Sequence, residues 1–256
     1  LYGRAYQLMA APATGFGAVL DSVLFPAMAR VQNDPQRLGT AYRRGVAFLT
    51  TMVLPVSIVA LVLAPEIIHV ALGADWSGAV LPFRILALGM LFRTSYKMSD
   101  SICRATAMVY QRAGRQIIYA VVVIGGAAIG QRWGIGGVAA AVVLALVINF
   151  LLMAQLSLQV ASISWADFGR AHMPGLLLCA VCLPFLWGTT VAMRGWGAAP
   201  LIIVIAGTGA AAVSGLVATA LAPRTFVGGD GLWMLSTLRS YLPQRFVPAH
   251  STTTEI

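Results

Sequence analysis

Seven long apolar runs follow one another along the chain, at 6–29, 45–70, 79–104, 114–131, 134–157, 173–193 and 199–222. A helix needs about 20 apolar residues to cross the hydrocarbon core of a bilayer. Six of the runs meet that length. The fourth is the weakest, because its uninterrupted apolar core is confined to 117–130. Polar, Arg-bearing stretches separate most of the runs. The pattern predicts an all-α fold, a polytopic transmembrane helical bundle of about seven spans. Prolines at 12, 26, 55, 65, 82, 174 and 184 interrupt these runs. In lipid their freed carbonyls need a neighbouring helix, a hydroxyl or water. Small residues such as Gly125, Gly126, Gly134, Gly136, Gly137, Gly207, Gly209 and Gly215 let helices approach closely.

Loop charges set the orientation. With seven spans, one side carries Arg30, Arg37, Arg43, Arg44, Arg104, Arg112, Arg115, Arg170, Arg224, Arg239 and Arg245, and the other Arg4, Arg132 and Arg194. If the fourth run did not cross, the asymmetry would weaken. The positive-inside rule therefore favours seven spans, with the C-terminus in the cytoplasm. Residue 1 is Leu and no charged stretch precedes a short apolar one, so no signal peptide is read. An odd number of spans beginning outside leads us to expect that the chain belongs to a longer protein. In the tail, Leu232, Leu235, Leu238 and Leu242 share one helical face, which suggests a short helix on the cytoplasmic interface. The segment 251–256 is polar and expected to be disordered.

Composition sharpens this picture. The chain has 256 residues, 59% hydrophobic and 10% charged. A soluble domain carries about 25% charged residues. A soluble enzyme, a disordered chain and a disulfide scaffold are excluded. Net charge is +9, with 17 basic and 8 acidic residues. In a lipid-soluble chain such an excess reads as cytoplasmic loops rather than nucleic-acid binding. Cys103, Cys179 and Cys182 all fall inside apolar runs and imply no disulfide framework.

The third run is unlike the rest, because it holds Arg84, Arg93, Lys97, Asp100 and Arg104. At about 100° per residue, positions 93, 97, 100 and 104 form one stripe, with Arg84 roughly opposite. Even the lowest scale charges about 2.5–3.5 kcal/mol for a Lys or Arg at the bilayer centre. The stripe must face water or another helix. Counted from residue 79, Arg93 lies about 21 Å and Lys97 about 27 Å along the helix, while Arg104 reaches the edge and can snorkel. Arg93 either lines a cationic cavity or closes a structural pair with Asp21, which lies at similar depth in the first run. Arg offers a fork that matches phosphate oxygens and Lys a compact point charge, so a pyrophosphate group suits the pair. Arg84, Arg93 and Lys97 are thus the candidate substrate-binding residues, and Asp21 and Asp100 the candidate charge partners.

Catalysis finds little support. His69, His172 and His250 are spread over different regions, no carboxylate pair has a convincing spacing, and no nucleophile motif occurs. We expect no enzyme activity, no metal site and no cofactor.

Several stretches carry a family resemblance. They are Leu1 through Leu8 (Leu-Tyr-Gly-Arg-Ala-Tyr-Gln-Leu), Pro12, Val23 through Arg30, Leu54 with Pro55, Leu72 through Trp76 with Ala79, Val80 and Leu86 through Leu88, and Trp133 through Ala139. Over about residues 1–160 the chain resembles the polysaccharide flippase family (Wzx-like) of the multidrug/oligosaccharidyl-lipid/polysaccharide exporter superfamily. The resemblance implies a fold of 12 to 14 helices in two lobes around a central cavity. It implies alternating access that moves a lipid-linked oligosaccharide across the bacterial inner membrane. The chain would correspond to helices 8 to 14 of a 14-helix flippase, that is, the C-terminal lobe plus two extra helices. Residues 1–160 would be lobe helices, 161–222 the two further spans and 223–256 a cytoplasmic tail. Lipid, an undecaprenyl-pyrophosphate glycan, and the polymerase and glycosyltransferases of the same route are the implied partners, with no nucleic acid among them. Two other readings stand beside it: an ion-coupled small-molecule antiporter of the same superfamily, and a non-transporting membrane scaffold of a polysaccharide assembly complex.

Overall fold

The computed structural model describes residues 2–226 and, within them, the side chains of all but 12, 13, 16–24 and 224. The predicted tail helix and the polar terminus lie outside the described residues, and so does the side chain of Asp21. Within these bounds the chain is helical from end to end. The elements are α1 (Tyr2–Arg30), α2 (Pro35–Val62), α3 (Ala64–Leu72), α4 (Val80–Leu88), α5 (Met90–Ala105), α6 (Val109–Gly130), α7 (Gly134–Ala161), α8 (Trp165–Gly195), α9 (Pro200–Leu221) and the single turn α10 (Pro223–Phe226). Short 3₁₀ turns join α3 to α4 and α6 to α7.

Local chemistry sets the boundaries. Asp34 caps α2, accepting from the main-chain N–H groups of Gln36 and Arg37 at 3.1 Å each, and Pro35 occupies the first turn, where no partner is lost. Ser164 caps α8 by accepting from the Asp167 N–H at 3.1 Å. The second run, 45–70, is two helices rather than one. Pro65 lacks an N–H, α2 ends at Val62 and α3 starts afresh at Ala64. Gly73, at φ 98°, ends α3 in a conformation that a side chain would strain.

Among the described residues five stretches are long and apolar enough to cross a membrane: Pro35–Val62, Ala74–Ala105, Val109–Ala161, Trp165–Gly195 and Pro200–Leu221. The chain is a multi-pass helical membrane protein. The third stretch is a hairpin. Gly126 faces Ala141, Gln116 bonds Asn149 at 3.3 Å and Arg115 bonds the Leu152 carbonyl at 2.9 Å, so α6 and α7 run antiparallel. At its bend the backbones of Gly130 and Gly137 touch. A Cβ on Gly137 would lie 2.2 Å from the Gly130 carbonyl oxygen. The weak fourth run is therefore a full helix of 22 residues, about 33 Å long. Apolar counting stopped short because Arg112, Arg115 and Gln116 turn towards neighbouring helices.

Two apolar cores hold the rods together. One joins α1 to α5 and α7 with the start of α8, around Tyr42, Leu49, Ile68, Leu86, Met98 and Met153. The other ties α8 to α9 and the end of α2, around Leu63, Leu178, Leu186 and Ile203. Where α2 meets α8 the contact is close enough that a Cβ on Gly175 would sit 2.7 Å from the Thr50 carbonyl oxygen. Close approach of this kind replaces the hydrophobic drive that lipid does not supply between helices.

Candidate functional site

The sharpest division of polar and apolar residues lies on α5. Its buried face carries Met90, Met98, Ile102 and Ala105, with Thr94, Ser95, Ser99 and Ser101 between them. Thr94 returns its hydroxyl to the Met90 carbonyl at 2.8 Å, and Tyr42 and Ser99 share a buried hydrogen bond of 2.9 Å that links α5 to α2. This face packs on α2 and α7. The opposite face holds Arg93, Tyr96, Lys97, Asp100 and Arg104. Contacts made from it reach α1 on one side and α6 on the other. The polar stripe is thus the floor of a cleft whose walls are α1 and α6.

Arg93 donates a hydrogen bond to the Tyr6 hydroxyl on α1, and its guanidinium carbon stands 4.9 Å from the Tyr6 ring centroid. Tyr2 stacks on Tyr6 at 6.0 Å between centroids. Tyr96 follows Arg93 by three residues on α5, and Tyr119 of α6 packs against the same apolar core as Tyr2 and Tyr6. No carboxylate lies within ion-pair distance of Arg93 among the described residues. Lys97, half-buried, has neither an ion pair nor a hydrogen bond among the described residues.

Asp100 is committed elsewhere. It pairs with Arg104 one turn on, at 3.2 Å, and with Arg112 of α6. Arg104 also contacts Ser101 at 3.3 Å and lies 5.0 Å over the Phe25 ring of α1. Arg104 was expected to snorkel from the edge of the run; it is an ion-paired member of the cleft floor. Asp100 is a charge partner, as the sequence proposed, but of these two arginines. Arg93 meets Tyr6 and Arg104 meets Phe25, so α1 and α5 run parallel. The first contact falls at the Tyr2 end of α1, although Arg93 lies past the middle of its own run. Helix break and stagger explain this: Gly89 divides the third run into α4 and α5, so depth counted along one straight rod does not carry across to α1.

Arg84 does not join Arg93 and Lys97. It sits on α4 and its charge acts on Glu66 of α3. Glu66 itself receives the fork of Arg194 from the end of α8, Nε to Oε1 at 2.7 Å and Nη2 to Oε2 at 2.9 Å. A second Nη2 bond reaches the Val62 carbonyl at 3.2 Å. Two charged regions therefore exist, one open with surplus cations and one closed. A further concavity of about 720 Å³ opens between α2, α8 and α9, and none of its lining residues is charged. Among the described residues no group of His, Cys, Asp and Glu could hold a metal ion.

Sequence reading named Arg93 and Lys97 but missed the tyrosines. The available signals were the i, i+4 spacing of Tyr2 and Tyr6 and the position of Tyr96 beside the stripe.

Residues 1–81 match a family model described as polysaccharide biosynthesis protein. The segment contains Tyr2 and Tyr6 and the resemblance-bearing stretches through Val80, and it ends before Arg84, Arg93 and Lys97. No curated protein and no solved structure matches the chain. The first third of this membrane protein is thus similar to polysaccharide biosynthesis proteins.

Proposed function

We propose that the chain forms the substrate-handling part of a flippase that moves a lipid-linked oligosaccharide, an undecaprenyl-pyrophosphate glycan, across the bacterial inner membrane for polysaccharide or lipopolysaccharide assembly. The observation that carries this reading is the pair of cations on α5. Arg93 and Lys97 are held half-buried between α1 and α6, and neither has a carboxylate partner among the described residues. A bundle gains nothing from such residues unless they meet an anion, since each opposes insertion by about 2.5–3.5 kcal/mol at mid-membrane. The match of residues 1–81 to polysaccharide biosynthesis proteins supports a substrate on the route to a polysaccharide.

Transport here breaks no covalent bond, and the protein is not an enzyme in this reading. The barrier to crossing is the charge of the pyrophosphate and the hydration of the sugars. Lys97 offsets the first as a point charge and Arg93 as a planar fork. The C-terminus would face the cytoplasm, following the Arg-rich loops. An exporter of organic cations would want a free carboxylate in the cleft, and Asp100 is bound by two arginines. A scaffold would have no use for unpaired cations.

The test is glycan export in cells whose own gene carries Arg93→Ala or Lys97→Ala, with membrane insertion followed in parallel. We expect export to fall at least tenfold, the worth of one charge contact of about 1.4 kcal/mol, while insertion holds. Normal export by both variants overturns the assignment.

A further inference from the structure

Four of the chain's seven tyrosines gather around one arginine. Tyr2 and Tyr6 come from α1, Tyr96 from α5 and Tyr119 from α6, and each is half-buried. Their grouping rests on the Arg93–Tyr6 bond, the placement of that guanidinium over the Tyr6 ring, the Tyr2–Tyr6 stack, the position of Tyr96 three residues after Arg93 on α5, and the packing of Tyr2, Tyr6 and Tyr119 against the same apolar core. The other aromatic cluster of the interior, around Phe150 and Phe168, holds a single tyrosine, Tyr42, whose hydroxyl is spent on Ser99. Packing alone would be served as well by Phe, with no hydroxyl to desolvate. Arg93 has five N–H donors in a fixed fork, and one bond, to Tyr6, is formed among the described residues. The cluster therefore offers flat apolar faces, several hydroxyls and spare guanidinium donors in one half-open place.

That combination matches a pyranose ring. A sugar presents a C–H face that packs on an aromatic ring, and an equatorial belt of hydroxyls that bond to phenols and guanidinium groups. Lys97 lies one helical turn beyond Arg93 on the same stripe, about 6 Å along the axis. This is comparable to the offset between a sugar ring and the phosphate attached to it. We infer that Tyr6, with Arg93 over its ring and Tyr2 stacked on it, forms together with Tyr96 and Tyr119 a saccharide subsite that takes the sugar joined to the pyrophosphate while Lys97 takes the phosphate. This rests on the flippase reading and divides its cationic cleft into two parts with different ligands.

The experiment uses the full-length protein as the cell makes it, purified in detergent, and two probes: undecaprenyl pyrophosphate, and the same lipid carrying one N-acetylhexosamine. Binding is measured for wild type, Tyr6→Ala, Tyr96→Ala, Tyr6→Phe and Lys97→Ala, with melting recorded for each. Wild type should bind the sugar-bearing lipid more tightly. Tyr6→Ala and Tyr96→Ala should each remove about tenfold from that affinity and leave the sugar-free lipid unchanged, a loss set by one aromatic stack and its hydroxyl. Tyr6→Phe keeps the ring and should stay within about threefold of wild type on the sugar-bearing lipid. Lys97→Ala should weaken both probes. If the tyrosine variants weaken both lipids equally, or neither, the tyrosines only position Arg93 and the subsite is overturned. If wild type binds both lipids equally well, the subsite falls and the flippase reading survives. If wild type binds neither, the flippase reading itself fails.

Discussion

Two groups of partly buried charge sit on the same bundle and are built in opposite ways. At the Glu66–Arg194 pair, a carboxylate that is 8% exposed receives a guanidinium fork across two helices, and a main-chain carbonyl takes a further donor. Glu66 and Arg194 satisfy each other, and the result is a clasp between α3 and α8. In the α5 cleft Asp100 is taken by Arg104 and Arg112, and among the described residues Arg93 and Lys97 have no carboxylate partner. The difference separates charges that hold helices from charges that meet a ligand. Paired ions in low dielectric are costly to break but add little specificity of their own. Unpaired ions cost insertion energy and return nothing until an anion arrives.

The largest expected effect attacks the open region. Arg93→Ala with Lys97→Ala should lower glycan export about a hundredfold, tenfold for each lost contact, while the loss of stability in detergent stays within the about 1 kcal/mol of the Arg93–Tyr6 contact. A larger loss of stability would turn the cleft into a second clasp. Next comes the closed region. Arg194→Ala strands Glu66, and we expect a loss of about 2 kcal/mol, below the about 3–5 kcal/mol of a fully buried pair because Arg194 is 37% exposed. Tryptophan fluorescence during thermal or denaturant unfolding reads this, and pairing Arg194→Ala with Glu66→Gln should recover part of it. Asp100→Asn should cost less, about 1 kcal/mol, since its two arginines are over a third exposed and regain water. Its sharper readout is a gain in affinity for anionic lipid, as one negative charge leaves the cleft. The smallest effect is Tyr42→Phe, which removes the buried bond to Ser99 and should cost about 1 kcal/mol or less without touching export.

Much of the fold could be read from hydropathy, because each apolar run became a helix. What escaped were breaks and extensions set by single residues. Pro65 split the second run, Gly89 divided the third, and Arg112, Arg115 and Gln116 lengthened the fourth by facing α5 and α7 instead of lipid. The α5 stripe was legible because helical periodicity is local. Its partners were not, since they come from α1 and α6. Arg112 reaches Asp100 only through the turn that folds α6 back on α5, and Arg84 left the group because the break at Gly89 puts it on α4. The structural pair weighed for Arg93 involves the Asp21 side chain, which is outside the described residues.

The account turns on whether the surplus cations of α5 hold an anionic lipid head group. Equilibrium binding of undecaprenyl pyrophosphate to the purified protein tests this directly, comparing Arg93→Gln/Lys97→Gln with Glu66→Gln/Arg194→Gln at two salt concentrations. The account predicts at least a tenfold loss of affinity, and a weaker salt dependence, for the first double variant only. Equal affinity in both double variants would contradict it.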